Sequence, residues 1–410
     1  MLASFFNFLN FSFWSEKMHN LSKQSIIKVV PNKTRKDKRN YIVEDCNTGE
    51  YYEFPKAAIT SLELLKKGYT LVDAEIELKK QFPHEEIDMI DFVEQLLEMN
   101  LVEEIDGISI AKAQNYDKVN GFMWVPQKLG KFAFNKLMYL LYSILFLICL
   151  SIFLLSPDML PHYKDIFILE SLSGNILLWL GISIVLLIIH ELGHILAIRA
   201  FNLSTRLEIG NRLMIPVLET DMSQAWGLPP KERNVLYLAG FSFDVLMLTL
   251  AIFVQIFFVE SHPILLGICR YVVLDVVLRT VFQCCVYMKT DFYYLIENNT
   301  GCYNLMENTL KLLKSIFSKE TANGTETIYQ KEKGTLYIYS VMYVVGVVIT
   351  IVVFLVFFIP QILYISKMIV SLYKGTGSFF DTFVLLIPLT VGMSLVLYSL
   401  KKKKRNILNS

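Results

Sequence analysis

Ile176-Leu177-Leu178-Trp179-Leu180-Gly181-Ile182-Ser183-Ile184-Val185-Leu186-Leu187-Ile188-Ile189-His190-Glu191-Leu192-Gly193-His194-Ile195-Leu196-Ala197-Ile198 is apolar along almost its whole length, and the string His190-Glu191-Leu192-Gly193-His194 breaks it. A run of this length reads as a membrane-crossing helix, since about 20 residues span the hydrocarbon core. A glutamate in such a helix costs roughly 2.5 to 3.5 kcal/mol of insertion energy at its centre, so its presence asks for a function. The helical period puts His190 and His194 on one face, about 6 Å apart along the axis, and both imidazoles can reach one tetrahedral Zn2+. Glu191 then stands ready as general base toward a water at that metal. The competing reading is a chance string whose histidines pack against polar neighbours. The chain has six histidines in 410 residues. Chance supplies such a string in roughly a few per thousand chains of this kind, so the zinc reading is preferred.

Composition points the same way. Hydrophobic residues make up 54% and charged residues 19%, with a mean hydropathy of +0.44, all displaced toward lipid burial. The net charge of +1 gives no support to a nucleic-acid surface. Of Cys46, Cys149, Cys269, Cys284, Cys285 and Cys302, four fall in apolar spans and none forms a CxxC pair. They read as small hydrophobes.

Six segments are long enough to cross a membrane: 134–156, 175–200, 234–259, 263–289, 335–359 and 378–400. Gln361 to Lys374 is apolar but short and reads as an outer interfacial helix. Arg199, Arg206, Arg212, Lys231 and Arg233 follow the second span. Lys311, Lys314, Lys319, Lys331 and Lys333 precede the fifth, and the tail adds Lys401-Lys402-Lys403-Lys404-Arg405. All three groups fall on one side if both termini are cytoplasmic, the orientation that the positive-inside rule selects. Arg270, near the outer end of the fourth span, fits this scheme poorly.

In that orientation the histidine motif lies a little past mid-membrane, in the cytoplasmic half. A third ligand has to come from a similar depth. Asp244 matches on depth alone, whereas Asp291, just after Lys289, requires the end of the fourth span to bend inward. Depth does not decide between them. Asp275 has Arg279 one turn away and reads as half of an internal ion pair.

Between the second and third spans, Thr205 to Met222 alternates partly around Gly210-Asn211, which predicts a β-hairpin. Its edge could hold an extended substrate by strand addition, or it could be an ordinary connection; the segment alone supports both equally.

The first 130 residues carry charges throughout and predict a separate soluble domain. Strands over Tyr41–Asp45 and Glu50–Phe54 flank a turn at Asn47-Thr48-Gly49, and helices follow over 56–67, 70–81 and 86–100. The basic arm Lys28 to Arg39 reads as a solvated loop, with anionic lipid or an acidic leader as the alternative contact. The aromatic N-terminus (Phe5, Phe6, Phe8, Phe11, Phe13, Trp14) lacks the features of a signal peptide and reads as interfacial or disordered. His19, His84, His162 and His262 have no motif around them.

His190-Glu191-Leu192-Gly193-His194 resembles the first motif of the site-2 protease family of intramembrane zinc metallopeptidases, in particular its peptide zinc metalloprotease branch. Lys289-Thr290-Asp291-Phe292-Tyr293-Tyr294 looks like the second motif, and the resemblance implies Asp291 as third zinc ligand, although Phe292 stands where glycine is usual. Gly240 to Asp244 looks like the family's Gly-xxx-Asn element, which would make Gly240 and Asp244 substrate-cleft residues; a helix-helix hydrogen bond is the other reading for Asp244. Tyr41 to Val102 resembles the PqqD-like peptide-recognition domain, a winged-helix unit that binds the leader of a ribosomally made peptide. Winged helices also bind DNA, but Glu86, Asp88, Asp91, Glu94 and Glu98 on the third helix would repel phosphates.

Together these readings imply a mainly α, polytopic membrane protein with about six transmembrane helices and a small winged-helix-like α+β domain. Its parts are an aromatic segment 1–17, a recognition domain 18–110, a linker 111–133, an intramembrane metalloprotease domain 134–400 and a basic tail 401–410. Glu191 is the expected catalytic residue, with Zn2+ on His190, His194 and Asp291. The expected partners are a peptide substrate, membrane lipid and a peptide exporter, with no nucleic acid. One alternative substrate is a transmembrane regulator such as an anti-sigma factor. Another class altogether is a non-catalytic export or immunity partner, against which an intact Glu191 weighs.

Overall fold

The computed structural model describes residues 21–110 except 39, 121–258 except 213–214, 262–318 except 303, 333–353, and scattered positions from 355 to 397. The predicted sixth span and the interfacial segment 361–374 are described only at scattered positions, and the aromatic N-terminus and the basic tail lie outside the described residues. The described chain is mostly helical with small sheets. It divides into two compact units. One joins the N-terminal residues to Ser223–Pro230; the other contains Val119–Met222 and the chain from Lys231 onward.

The N-terminal unit begins with β1 (Ile27–Val29), β2 (Asn32–Asp37), β3 (Asn40–Asp45) and β4 (Tyr51–Phe54). Next come α1 (Lys56–Lys66), α2 (Leu71–Gln81) and α3 (Met89–Glu98), then β5 (Val102–Ile105) and β6 (Ile108–Ser109). One antiparallel sheet has the order β2-β3-β4, and the other is β1-β5-β6, with Ile27 opposite Ile105. Helices α2 and α3 start where side chains can satisfy free backbone N–H groups. The Thr70 hydroxyl accepts from Asp73, and the Asp88 carboxylate accepts from Ile90 and Asp91. Gly68, at φ 81°, turns the chain out of α1. Each helix buries one face, and Leu62, Leu65, Ala74, Leu78, Val93 and Leu96 meet Ile27, Val43 and Phe54 in a single core.

Two expectations need correction here. The basic arm is largely a strand, β2, paired along its length with β3 from Asn32 opposite Asp45 to Asp37 opposite Asn40. It lies at a sheet edge, where charged side chains are tolerated and discourage further pairing. The unit also takes in Ser223–Pro230, far away in sequence: the Arg35 guanidinium donates to the carbonyls of Trp226 and Leu228, each at 2.9 Å.

The second unit contains α4 (Gln127–Ala133), α5 (Lys136–Leu155), α6 (Leu172–Ala200), the hairpin β7 (Leu207–Arg212) and β8 (Ile215–Thr220), and α7 (Pro230–Tyr237). It continues with α8 (Ala239–Phe257), α9 (Pro263–Gln283), α10 (Asp291–Thr300), α11 (Leu305–Ser318) and α12 (Lys333–Val353). Four of these helices are long and apolar enough to cross a membrane, in the ranges Lys136–Leu155, Ser173–Ala200, Ala239–Phe257 and Gly334–Val352. Cys149 of α5, Leu186 of α6, Leu248 and Ile252 of α8, and Val273 and Val276 of α9 share one core. Outward positions such as Leu154, Ile184, Val185 and Ile188 remain exposed, which suits a lipid surrounding better than water. All six cysteines are free thiols.

The predicted third span is broken at Leu238 into α7 and α8. The predicted fourth ends six residues early at Gln283, and it carries Arg270, Asp275 and Arg279, so it is not among the four apolar helices. Asp275 and Arg279 pair at 2.7 Å, and Ser183 of α6 donates to the same carboxylate. In the hairpin, Gly210 and Asn211 lie within β7, opposite Val217 and Pro216, so the reversal comes later than predicted. Gly210 does not make the turn; a Cβ there would meet only the far end of the flexible Glu219 side chain, which can move aside.

Leu96→Ala removes a fully buried side chain and should destabilise the N-terminal unit by about 2–5 kcal/mol. Glu94→Ala, on the exposed side of the same helix, should change it by less than about 0.5 kcal/mol. Limited proteolysis of the full-length protein in denaturant reads both; equal effects would show that α3 does not pack as described.

Candidate metal centre

His190 and His194 sit on successive turns of α6, both buried, with ring centroids 5.0 Å apart. The ring nitrogens facing away from each other fix what the other nitrogens can do. His194 Nδ1 lies 2.9 Å from the Leu236 carbonyl, just before the break at Leu238, and a carbonyl can only accept. Nδ1 therefore carries the hydrogen, and Nε2 of the neutral ring is a bare lone pair. His190 Nδ1 lies 2.7 Å from Asp244 Oδ2, and an oxygen accepting there sets the same tautomer.

The two Nε2 atoms are 3.3 Å apart, and Asp291 Oδ2 lies 3.3 Å from each. With both rings neutral, three acceptors converge with no hydrogen between them. A proton on one imidazole relieves part of that repulsion, while a metal cation at the centre relieves all of it. The spacing is also metric: ligands about 2.0–2.1 Å from a tetrahedral zinc are separated by about 3.3–3.4 Å. Among the described residues, His190, His194 and Asp291 are the one His/Cys/Asp/Glu group with metal-binding proximity.

Asp291 reaches this point because α9 stops early. A single 3-10 turn, Val286–Met288, follows it. Lys289 then adopts the left-handed conformation (φ 53°, ψ 48°), and α10 opens on Asp291. The bend that brings Asp291 inward is thus made at Lys289, two residues before the carboxylate. Phe292, the next residue, packs edge-on against Phe241. Gln283 then clamps Asp291 from both sides, its Oε1 accepting from the Asp291 N–H at 3.0 Å and its Nε2 donating to Oδ2 at 2.9 Å. Thr290 closes the turn by donating to the Gln283 carbonyl at 2.6 Å.

Asp244 lies behind the His190 ring, on the side opposite Asp291, so it orients an imidazole and does not share the metal position. A hydrogen-bonded carboxylate in this place fixes the ring and raises its basicity as a ligand. Gly240, one helical turn before it, lets α8 pass directly over the site. A Cβ there would lie 2.5 Å from His190 Cε1 and 2.6 Å from His194 Nε2. Gly193 does the same from α6, where a Cβ would lie 2.6 Å from the Ala239 carbonyl oxygen. Small residues at such crossings let membrane helices approach closely.

Glu191 is buried beside the two histidines, and Thr220 at the end of β8 donates to its Oε2 at 2.7 Å. Neither Gln283 nor Thr220 stood out in the sequence. The only hint was positional: a polar residue closing an apolar helix, and a threonine ending an alternating run.

Compared with protein-family models, with curated proteins and with solved structures, the chain matches none.

Gly240→Ala should abolish tight divalent-metal binding while leaving the helices formed. Titration with Co2+ followed by visible absorption, alongside circular dichroism, measures both. Wild-type affinity in the variant would show that α8 does not lie over the histidines.

Proposed function

We propose that this protein is an intramembrane zinc metalloprotease of the site-2 type, which cleaves a small ribosomally made peptide during its maturation or export. The observation that carries this reading is the triangle of His190 Nε2, His194 Nε2 and Asp291 Oδ2 at tetrahedral spacing, with the Glu191 carboxylate alongside in an apolar helix. Two neutral imidazoles and one carboxylate suit zinc and leave a coordination position for a water or substrate.

When bound, zinc supplies Lewis acidity, lowering the pKa of a water and polarising a peptide carbonyl. The chain's own residues do the rest. Asp244 and the Leu236 carbonyl hold the imidazoles in the tautomer that presents Nε2. Gln283 holds the Asp291 carboxylate toward them. Glu191 accepts the proton from the attacking water and returns it to the departing amine, the exchange that a base one residue from a ligand can make. The surrounding helices keep bulk water away, which strengthens these electrostatic contacts.

The N-terminal unit supports the peptide part of the reading. Strand β1, three helices and the β5–β6 hairpin, with β1 pairing with β5, follow the order of a winged helix, and the β2-β3-β4 sheet precedes the helices. That arrangement suits a PqqD-like domain that docks a leader as an added strand. Asp88, Asp91, Glu94 and Glu98 along α3 disfavour a nucleic acid. The cell membrane, with both termini cytoplasmic and an exporter as partner, completes the proposal.

Purified protein should hold a single zinc per chain and cleave casein, an unfolded chain offering many extended peptide bonds. Glu191→Gln should keep the zinc and lose roughly 10²–10⁴-fold in turnover. Wild-type rates in that variant would overturn the mechanism.

The two aspartates should separate in metal analysis. Asp291→Ala should strip most of the zinc during dialysis, whereas Asp244→Asn should weaken it by roughly 10- to 100-fold, the usual cost of losing a partner behind a ligand. A larger zinc loss in Asp244→Asn than in Asp291→Ala would exchange their roles.

A further inference from the structure

Glu191 precedes a glycine-containing turn of α6 and carries its carboxylate at the end of three rotatable bonds, so the helix alone does not determine where its oxygens point. Among the described residues its side chain makes one hydrogen bond, from the Thr220 hydroxyl to Oε2 at 2.7 Å. No described residue hydrogen-bonds Oε1. The same hydroxyl lies 3.4 Å from the Glu191 main-chain carbonyl, so it sits between the carboxylate and the helix that bears it.

Thr220 is itself firmly placed. It is buried and is the last residue of β8, paired opposite Leu207. Directly after it, the Asp221 N–H donates to the Arg206 carbonyl at 2.9 Å, and the Thr205 hydroxyl donates to the Asp221 carbonyl at 2.7 Å. These bonds close the base of the hairpin, and the β-branched side chain adds a stiff first torsion. The hydroxyl is therefore a fixed donor, aimed at a carboxylate that would otherwise be mobile and poorly solvated.

We infer that Thr220 is the positioning residue of the general base: from the end of the hairpin it holds Oε2 and leaves Oε1 free to take the proton of the attacking water. The inference rests on the proposed protease reading and deepens it. The hairpin then contributes to the catalytic geometry itself, whether or not a substrate strand lies along its edge. A hydroxyl that served only to satisfy a buried carboxylate would affect stability; one that positions the base affects turnover at constant substrate binding.

The test uses the full-length protein in detergent with labelled casein, and it measures kcat, KM and zinc content for wild type, Glu191→Gln, Thr220→Val and Thr220→Ser. Thr220→Val keeps the shape and the strand propensity but removes the donor. It should lower kcat by roughly 10- to 100-fold, with KM within about twofold and zinc unchanged. Thr220→Ser returns the hydroxyl and should recover most of the lost turnover. Wild-type kcat in Thr220→Val, zinc loss in that variant, or a Thr220→Ser as slow as Thr220→Val would each overturn the inference while leaving the protease reading intact. A wild type that leaves casein uncut, or a fully active Glu191→Gln, would overturn both.

Discussion

Two imidazole nitrogens and a carboxylate oxygen held 3.3 Å apart repel one another unless a cation lies between them, and the residues around them hold all three in place. Asp244 and the Leu236 carbonyl hold the rings from behind, Gln283 holds the carboxylate, and two glycines let α6 and α8 close over the result. Each of these contacts is polar or sterically exacting in a bundle that is mostly apolar. Unsatisfied polar groups at membrane depth are expensive, which is why such a cluster marks function.

The site also explains irregularities that look like defects in the helices. The break at Leu238 lies two residues after the carbonyl that His194 uses, and the early end of α9 brings Asp291 inward. Lys289 takes a left-handed conformation that costs a non-glycine residue roughly 1–2 kcal/mol. That cost is offset locally, because the Gln283 clamp and the Thr290 hydroxyl bond both depend on the turn it makes. Backbone strain of this kind concentrates where a structure must aim a functional group.

Much of this was legible in the sequence. The spacing of His190 and His194 states their common face directly, and the alternation of Tyr41–Asp45 and Glu50–Phe54 announces paired strands. The third acidic residue was harder, because its choice depends on where α9 ends, and a lysine gives no sign that it will adopt a positive φ. The resemblance to a known motif named Asp291, while depth left Asp244 equally eligible. Strand β2 was concealed by Lys33, Arg35 and Lys36, charges that an edge strand carries as readily as a loop. Ser223–Pro230 could not be assigned to the N-terminal unit from its residues, since Arg35 grips it through backbone carbonyls, which every sequence possesses.

That last contact has a consequence for biosynthesis. The residues that build the N-terminal unit leave the ribosome first, yet the piece that Arg35 holds is made about a hundred residues after Lys118, once both α5 and α6 have been synthesised. At roughly 5–20 residues per second the interval is on the order of 5–20 seconds. For that time the N-terminal unit exists without one of its parts, while two long apolar helices have already been made. Completion of the N-terminal unit therefore waits on chain made after α5 and α6, and a synthesis stalled in those helices would leave it unfinished and open to proteolysis.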